Sequence, residues 1–163
     1  METILTRRPR AGILPPWVRL VREPAAYYQA TDADPGTVAP VRDAASVAAY
    51  LRPRLEAEEV EAFVVLVLNG KNCVVACAEV SRGTLTAALV HPREVFRPAI
   101  ALGGAALILA HNHPSGDPRP SAEDMAITTR LREVGTLIGI AVLDHVVIGA
   151  GGRYVSMAEA GPW

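Results

Sequence analysis

Between Ala105 and Asp124 the chain passes through three kinds of sequence in quick succession. An apolar run, Ala105–Ala110, leads straight into His111-Asn112-His113. A loop with Pro114, Gly116, Pro118 and Pro120 follows, and Ser121 and Asp124 then open a helical pattern. Such a unit is a buried strand, a stiff connection and a helix whose first turn must fold back near the strand end. Histidines at i and i+2 on a strand end point to one side of it. Two imidazoles and a carboxylate are three protein ligands, the number a catalytic zinc uses when its fourth position is kept for water.

Ser121-x-x-Asp124 also has a purely structural reading. It is a variant of the capping box, in which the serine caps the helix and the acid returns the bond. The two readings are compatible, since both need the same helix start held still, and the helix dipole supports an anion there. The helix begins only eight residues after His113, so its first turn can reach the histidines.

The bulk numbers narrow the class. The chain has 163 residues, half of them apolar, with aromatics at 5%, so its core must be built mainly from Ala, Val, Leu and Ile. The net charge of −1 gives no general affinity for phosphates, although a local basic patch is compatible with it. Nucleic acid is therefore not an expected partner. Cys73 and Cys77, four apart, are too close along one strand for an ordinary bridge and are expected as two buried reduced thiols. Met1 leads into Glu2 and an Arg/Pro-rich stretch, without a signal-peptide pattern or an apolar run long enough for a bilayer. The expectation is a cytoplasmic protein with no membrane partner.

Residues 1–42 hold six of the thirteen prolines and few periodic apolar positions, and are expected to form a proline-rich arm. Ile13, Leu14, Trp17, Val18, Leu20 and Val21 could dock it on the domain or on a second copy in a homodimer. The domain proper spans 43–163. Asp43 caps a helix that Pro53 ends or kinks, and Ala62–Leu68 is a strand. Asn69-Gly70 signals a hairpin into a partner strand over 73–80. Thr84–Val90 is a further strand, and Pro92–Leu102 a helix with proline in its first turn. The helix opened by Ser121 ends at Gly135 or Gly139, with strands over 140–148 and 153–156 after it. The fold class is α/β in the α+β sense: a mixed, mostly antiparallel sheet with two or three helices.

With these residues in view, His-x-His, seven residues, Ser, two residues, Asp resembles the signature of the JAMM (MPN+/JAB) metalloproteases. The stretches "VHPREVF" at 90–96, "AHNHPSGDP" at 110–118, "PSAED" at 120–124 and "LDHVVIG" at 143–149 are similar to its RadC branch, over about residues 43–160. The resemblance implies a JAB/MPN-like (cytidine-deaminase-like) sheet flanked by helices. It implies that His111, His113 and Asp124 bind zinc (Zn2+), and that Ser121 supports the bound water or the oxyanion. It also asks for an upstream glutamate as general base. Glu56, Glu58, Glu59, Glu61 and Glu79 are on offer, and Glu61, two before Phe63, matches the family's Glu-x-Phe placement best, with Glu59 and then Glu79 behind it.

The implied activity is a zinc-dependent metallopeptidase or isopeptidase acting on a protein or peptide amide. Zinc lowers the pKa of its water, a carboxylate carries the proton to the leaving amine, and a hydroxyl steadies the developing charge. The alternative is a non-proteolytic RadC-like module associated with DNA repair or mobile elements. RadC proteins commonly carry an N-terminal helix-hairpin-helix pair, and the arm shows no such pair, which weakens the case for DNA. His-Asn-His as an HNH nuclease signature is rejected, because those nucleases disperse their residues over a hairpin and helix. Of the remaining candidates, His145 is expected as a hydrogen-bonded neighbour of the site, His91 as a turn residue, and Asn112 and Ser115 as loop-shaping residues.

Overall fold

Seven consecutive buried residues, Ala62–Leu68, make the first strand, β1, which needs apolar cover on both faces. A computed structural model describes residues 41–83, 90–161 and 163. In chain order the elements are α1 (Ala44–Leu55), β1, β2 (Val74–Arg82), α2 (Pro92–Leu102), β3 (Ala106–Asn112), α3 (Ala122–Ile138), β4 (Ala141–Ile148), β5 (Tyr154–Ser156) and the single turn α4 (Met157–Ala160). The sheet order is β2-β1-β3-β4-β5. Among the described residues only β3 and β4 run parallel, and the other neighbours are antiparallel. The expected mixed, mostly antiparallel sheet with flanking helices is what the chain forms. The arm 1–40 and most of the strand expected over 84–90 lie outside the described residues.

Local chemistry sets the element ends. Asp43 caps α1 by accepting the Ser46 N–H at 2.8 Å. Pro53 does not end that helix, which runs on to Leu55 because Leu55 is buried against the sheet. His91 Nδ1 accepts the Arg93 N–H at 3.2 Å and so caps α2, with Pro92 in its first turn. The β1–β2 hairpin is not a two-residue Asn-Gly turn. Asn72 N–H bonds Asn69 O at 2.9 Å, and Asn72, at φ 57°, takes the left-handed position instead of Gly70. Cys73 therefore falls in the turn and is half-buried, while Cys77 is buried in β2; both are free thiols. Gly135 lies inside α3, and Gly139, at φ 75°, ends it.

Helix α1 covers one face of the sheet, packing Val47, Leu51 and Leu55 on Val64, Leu66, Ile108 and Val146. Helices α2 and α3 cover the other, packing Val95, Phe96, Ile127 and Leu131 on Phe63, Val65, Leu107 and Leu109. The alternation along β3 puts His111 on this second face, in line with Leu107 and Leu109. A bulge does the corresponding work in β4. Leu107 pairs with Val142 but Ile108 with Asp144, so Leu143 is left without a partner. The extra residue reverses the alternation, turning Asp144 to the α1 side and His145 to the α3 side.

Candidate metal centre

Strand β3 ends as it leaves the core, and the N-terminus of α3 returns over that end. His111 is fully buried and Asp124 is 3% exposed, while His113 is half-buried. His111 Nε2 lies 2.9 Å from His113 Nε2 and 3.2 Å from Asp124 Oδ1, and His113 Nε2 lies 3.4 Å from Asp124 Oδ2. One ligand atom from each falls within 4.8 Å of the others, a spacing that one ion could bridge. The three residues read from sequence as ligands are thus brought together, by a strand and a helix start.

The donor chemistry fits a divalent cation. His113 Nδ1 lies 2.8 Å from the Asp117 carbonyl, which only accepts, so Nδ1 carries a proton and Nε2 is the nitrogen turned to the cluster. Gly116, at φ 79°, permits the turn that brings Asp117 back under the ring. The donors are two nitrogens and a carboxylate, the borderline set that zinc accepts.

Charges in the cluster reinforce one another. Burial would raise the Asp124 carboxyl, but hydrogen bonds from His111, His113 and Ser121 outweigh it and hold it far below the usual carboxylate range. The bond to Asp124 raises His113 above its ordinary value against the opposing effect of burial, and Glu61 adds to the rise from nearby. Burial, followed by the repulsion of His111, pushes His145 well below its ordinary value, so that ring is neutral.

Glu61 stands where the register of β1 on β3 carries it. Phe63 pairs with His111, and Glu61 lies two residues before Phe63, close enough to His113 to act on its charge. Asn112 holds that segment. Its Oδ1 accepts the Ala62 N–H at 2.7 Å, and its Nδ2 donates to Val60 O at 3.0 Å and Glu58 O at 3.3 Å. The residue between the two histidines is therefore more than loop-shaping, a point hidden from sequence because its partners lie about 50 positions away. Glu79 lies on the far side of β1 from β3 and binds Arg82 at 2.9 Å, and Glu58 shares that guanidinium. Glu59 is exposed in the connection before β1, and Ser115 is exposed in the loop. Ser121 caps α3, and its hydroxyl lies 2.7 Å from Asp124 Oδ2.

His145 is no ligand. Its Nε2 lies 2.8 Å from His111 Nδ1, on the side of that ring away from the cluster. Its Nδ1 lies 2.5 Å from Thr128 Oγ1, and Thr128 donates to the Asp124 carbonyl at 2.6 Å. The ring of Phe63 stacks parallel to His111 at 6.2 Å and meets His145 edge-on at 5.4 Å.

The family model of the RadC-like JAB domain matches residues 41–162. The chain belongs to the RadC-like JAB domain family. It is 57% identical to a UPF0758 protein of Symbiobacterium thermophilum over 112 residues, 69% of this chain and 47% of that protein. It is 50% identical to one of Syntrophotalea carbinolica over 116 residues, 71% of this chain and 51% of that protein. A third, from Geobacter sulfurreducens, is 54% identical over 101 residues, 62% of this chain and 44% of that protein. This JAB-domain chain thus spans about half the length of the curated relatives it matches. Among the described residues no helix is long and apolar enough to cross a membrane.

Proposed function

We propose that this RadC-like JAB domain is a zinc-dependent metallohydrolase that cleaves a peptide or isopeptide amide. The observation that carries the reading is the convergence of His111, His113 and Asp124 beside Glu61. His111, His113 and Asp124 hold the ion. A divalent ion there supplies a Lewis acid that makes water more acidic and polarises a carbonyl. Glu61 is the general base: it takes the proton of the attacking water and returns it to the leaving amine. Ser121 Oγ, which donates to Asp124 in the resting geometry, is the hydroxyl that turns to a developing oxyanion. Asn112 holds the Glu61 segment, and the Asp117 carbonyl holds His113.

The test is metal content by mass spectrometry on protein purified without added metal, wild type beside His113→Ala, followed by a panel of peptide and isopeptide substrates. Near one zinc per chain, lost in the variant, with amide cleavage that chelation abolishes, is the expected result. A folded wild type that refuses added zinc would overturn the proposal and favour a non-hydrolytic binding module.

A further inference from the structure

His111 and His145 are both fully buried, and Phe63 walls their contact. Water cannot complete their hydrogen bonds, so the order of protons along the contact has to be set by the protein itself.

The order can be read from its far end. The Asp124 carbonyl only accepts, and Thr128 Oγ1 lies 2.6 Å from it, so the one hydroxyl proton points there. Met157 Sδ, at 3.6 Å, is the weaker competitor for it. With its proton committed, Thr128 can only accept from the ring 2.5 Å away, so His145 carries its proton on Nδ1. A neutral imidazole has one donor and one acceptor, so His145 Nε2 accepts, and the donor to it is His111 Nδ1 at 2.8 Å. His111 Nε2 is then the nitrogen that faces His113 and Asp124.

We propose that Thr128 and His145 are positioning residues that form a buried relay, anchored on the Asp124 carbonyl, which holds His111 in the Nδ1–H form required of a metal ligand. His113 obtains the same result in one step from the Asp117 carbonyl. His111 needs the longer route because its Nδ1 points into the core, where the neighbouring strand offers a side chain. The β4 bulge at Leu143 is the device that turns His145 to this side, and bulges serve this purpose beside functional sites. The relay also closes on the site: its last acceptor is the main chain of Asp124, whose side chain is the third candidate ligand. Placing that ligand and choosing the tautomer of His111 are thus one structural event.

The relay rests on the metal reading of the cluster, and the test separates the two. Nitrogen-15 imidazole spectra of the wild-type protein, zinc-free and with zinc added, report which nitrogen of each ring bears the proton. The expected result is Nδ1–H for His145 and His111 in both. Zinc affinity by competition with a chelator is then compared for wild type, Thr128→Val, His145→Leu and His145→Gln. Thr128→Val and His145→Leu should weaken zinc about 10- to 100-fold. His145→Gln, whose amide oxygen can accept from His111, should recover most of the loss, which a merely structural role would not predict. An Nε2–H proton on His145, or zinc affinity unchanged in both Thr128→Val and His145→Leu, would overturn the relay while leaving the zinc site standing. A wild type that binds no zinc would overturn the metal reading and the relay with it.

Discussion

Ser121 and Asp124 hold each other reciprocally at the start of α3. Asp124 Oδ2 accepts the Ser121 N–H and hydroxyl, each at 2.7 Å, while Ser121 Oγ accepts the Asp124 N–H at 3.1 Å. The same carboxylate faces both imidazoles. Helix capping and ligand placement are therefore one arrangement, and substitutions can separate them. Asp124→Asn keeps an acceptor for the cap but removes the charge, so zinc should be lost while the fold remains. Ser121→Ala should lower stability by about 1 kcal/mol, the usual worth of such a cap, and leave zinc bound. Urea unfolding beside metal analysis distinguishes these outcomes.

Glu61→Gln should leave zinc content at the wild-type level and slow amide hydrolysis by about 100-fold or more, since positioned acid–base groups contribute on that scale. Equal rates in the two proteins would remove Glu61 from the reaction.

Asn112→Ala should cost about 1–3 kcal/mol, because the buried Ala62 N–H loses its acceptor. Zinc content should survive and hydrolysis should fall, since the Glu58–Ala62 segment loses its tie to β3. Unfolding curves and the zinc-to-protein ratio are the checks.

The pH dependence of stability should change with zinc. In the metal-free protein the hydrogen bond to Asp124 raises His113 above its ordinary 6.5. A raised histidine stabilises fully below its unfolded value, and that contribution is lost as pH rises through the folded value. Zinc requires the proton to leave, so the zinc-dependent rise in melting temperature should grow as pH rises above 6.5 through the raised His113 value. Melting curves with and without zinc on both sides of pH 6.5 would show it; a constant increment would contradict it.

Gly135→Ala should destabilise α3 even though alanine is the better helix former by about 1 kcal/mol. A Cβ at that position would lie 2.6 Å from the Ile140 carbonyl and against Phe96, so the helix would have to shift from the sheet. A loss of about 1–3 kcal/mol in urea unfolding is expected.

Much of this protein is local and was therefore legible in its sequence. The apolar run Ala62–Leu68, Pro92 at the start of a helix and Ser121 with Asp124 at another each act through neighbours a few residues away. His111 and His113 share a strand end, and Asp124 follows within one loop, so the candidate ligand set is nearly contiguous. Turn details were less secure: Asn72 took the left-handed position in place of Gly70, and Gly135 stayed inside α3, because tertiary packing outweighs small local preferences.

Long-range pairing decided the rest. The sequence by itself determined which residues could ligate a metal and roughly which elements would carry them. Only the tertiary structure decided that Asn112 clasps the Glu61 segment, that Glu79 lies across β1 from β3, and that His145 reaches His111 and Thr128. The last depends on a single unpaired residue, Leu143, which exchanges the faces of the β4 side chains after it. A strand alternates with period two, so one inserted residue decides which side chains meet the site, and only the pairing with β3 reveals that insertion.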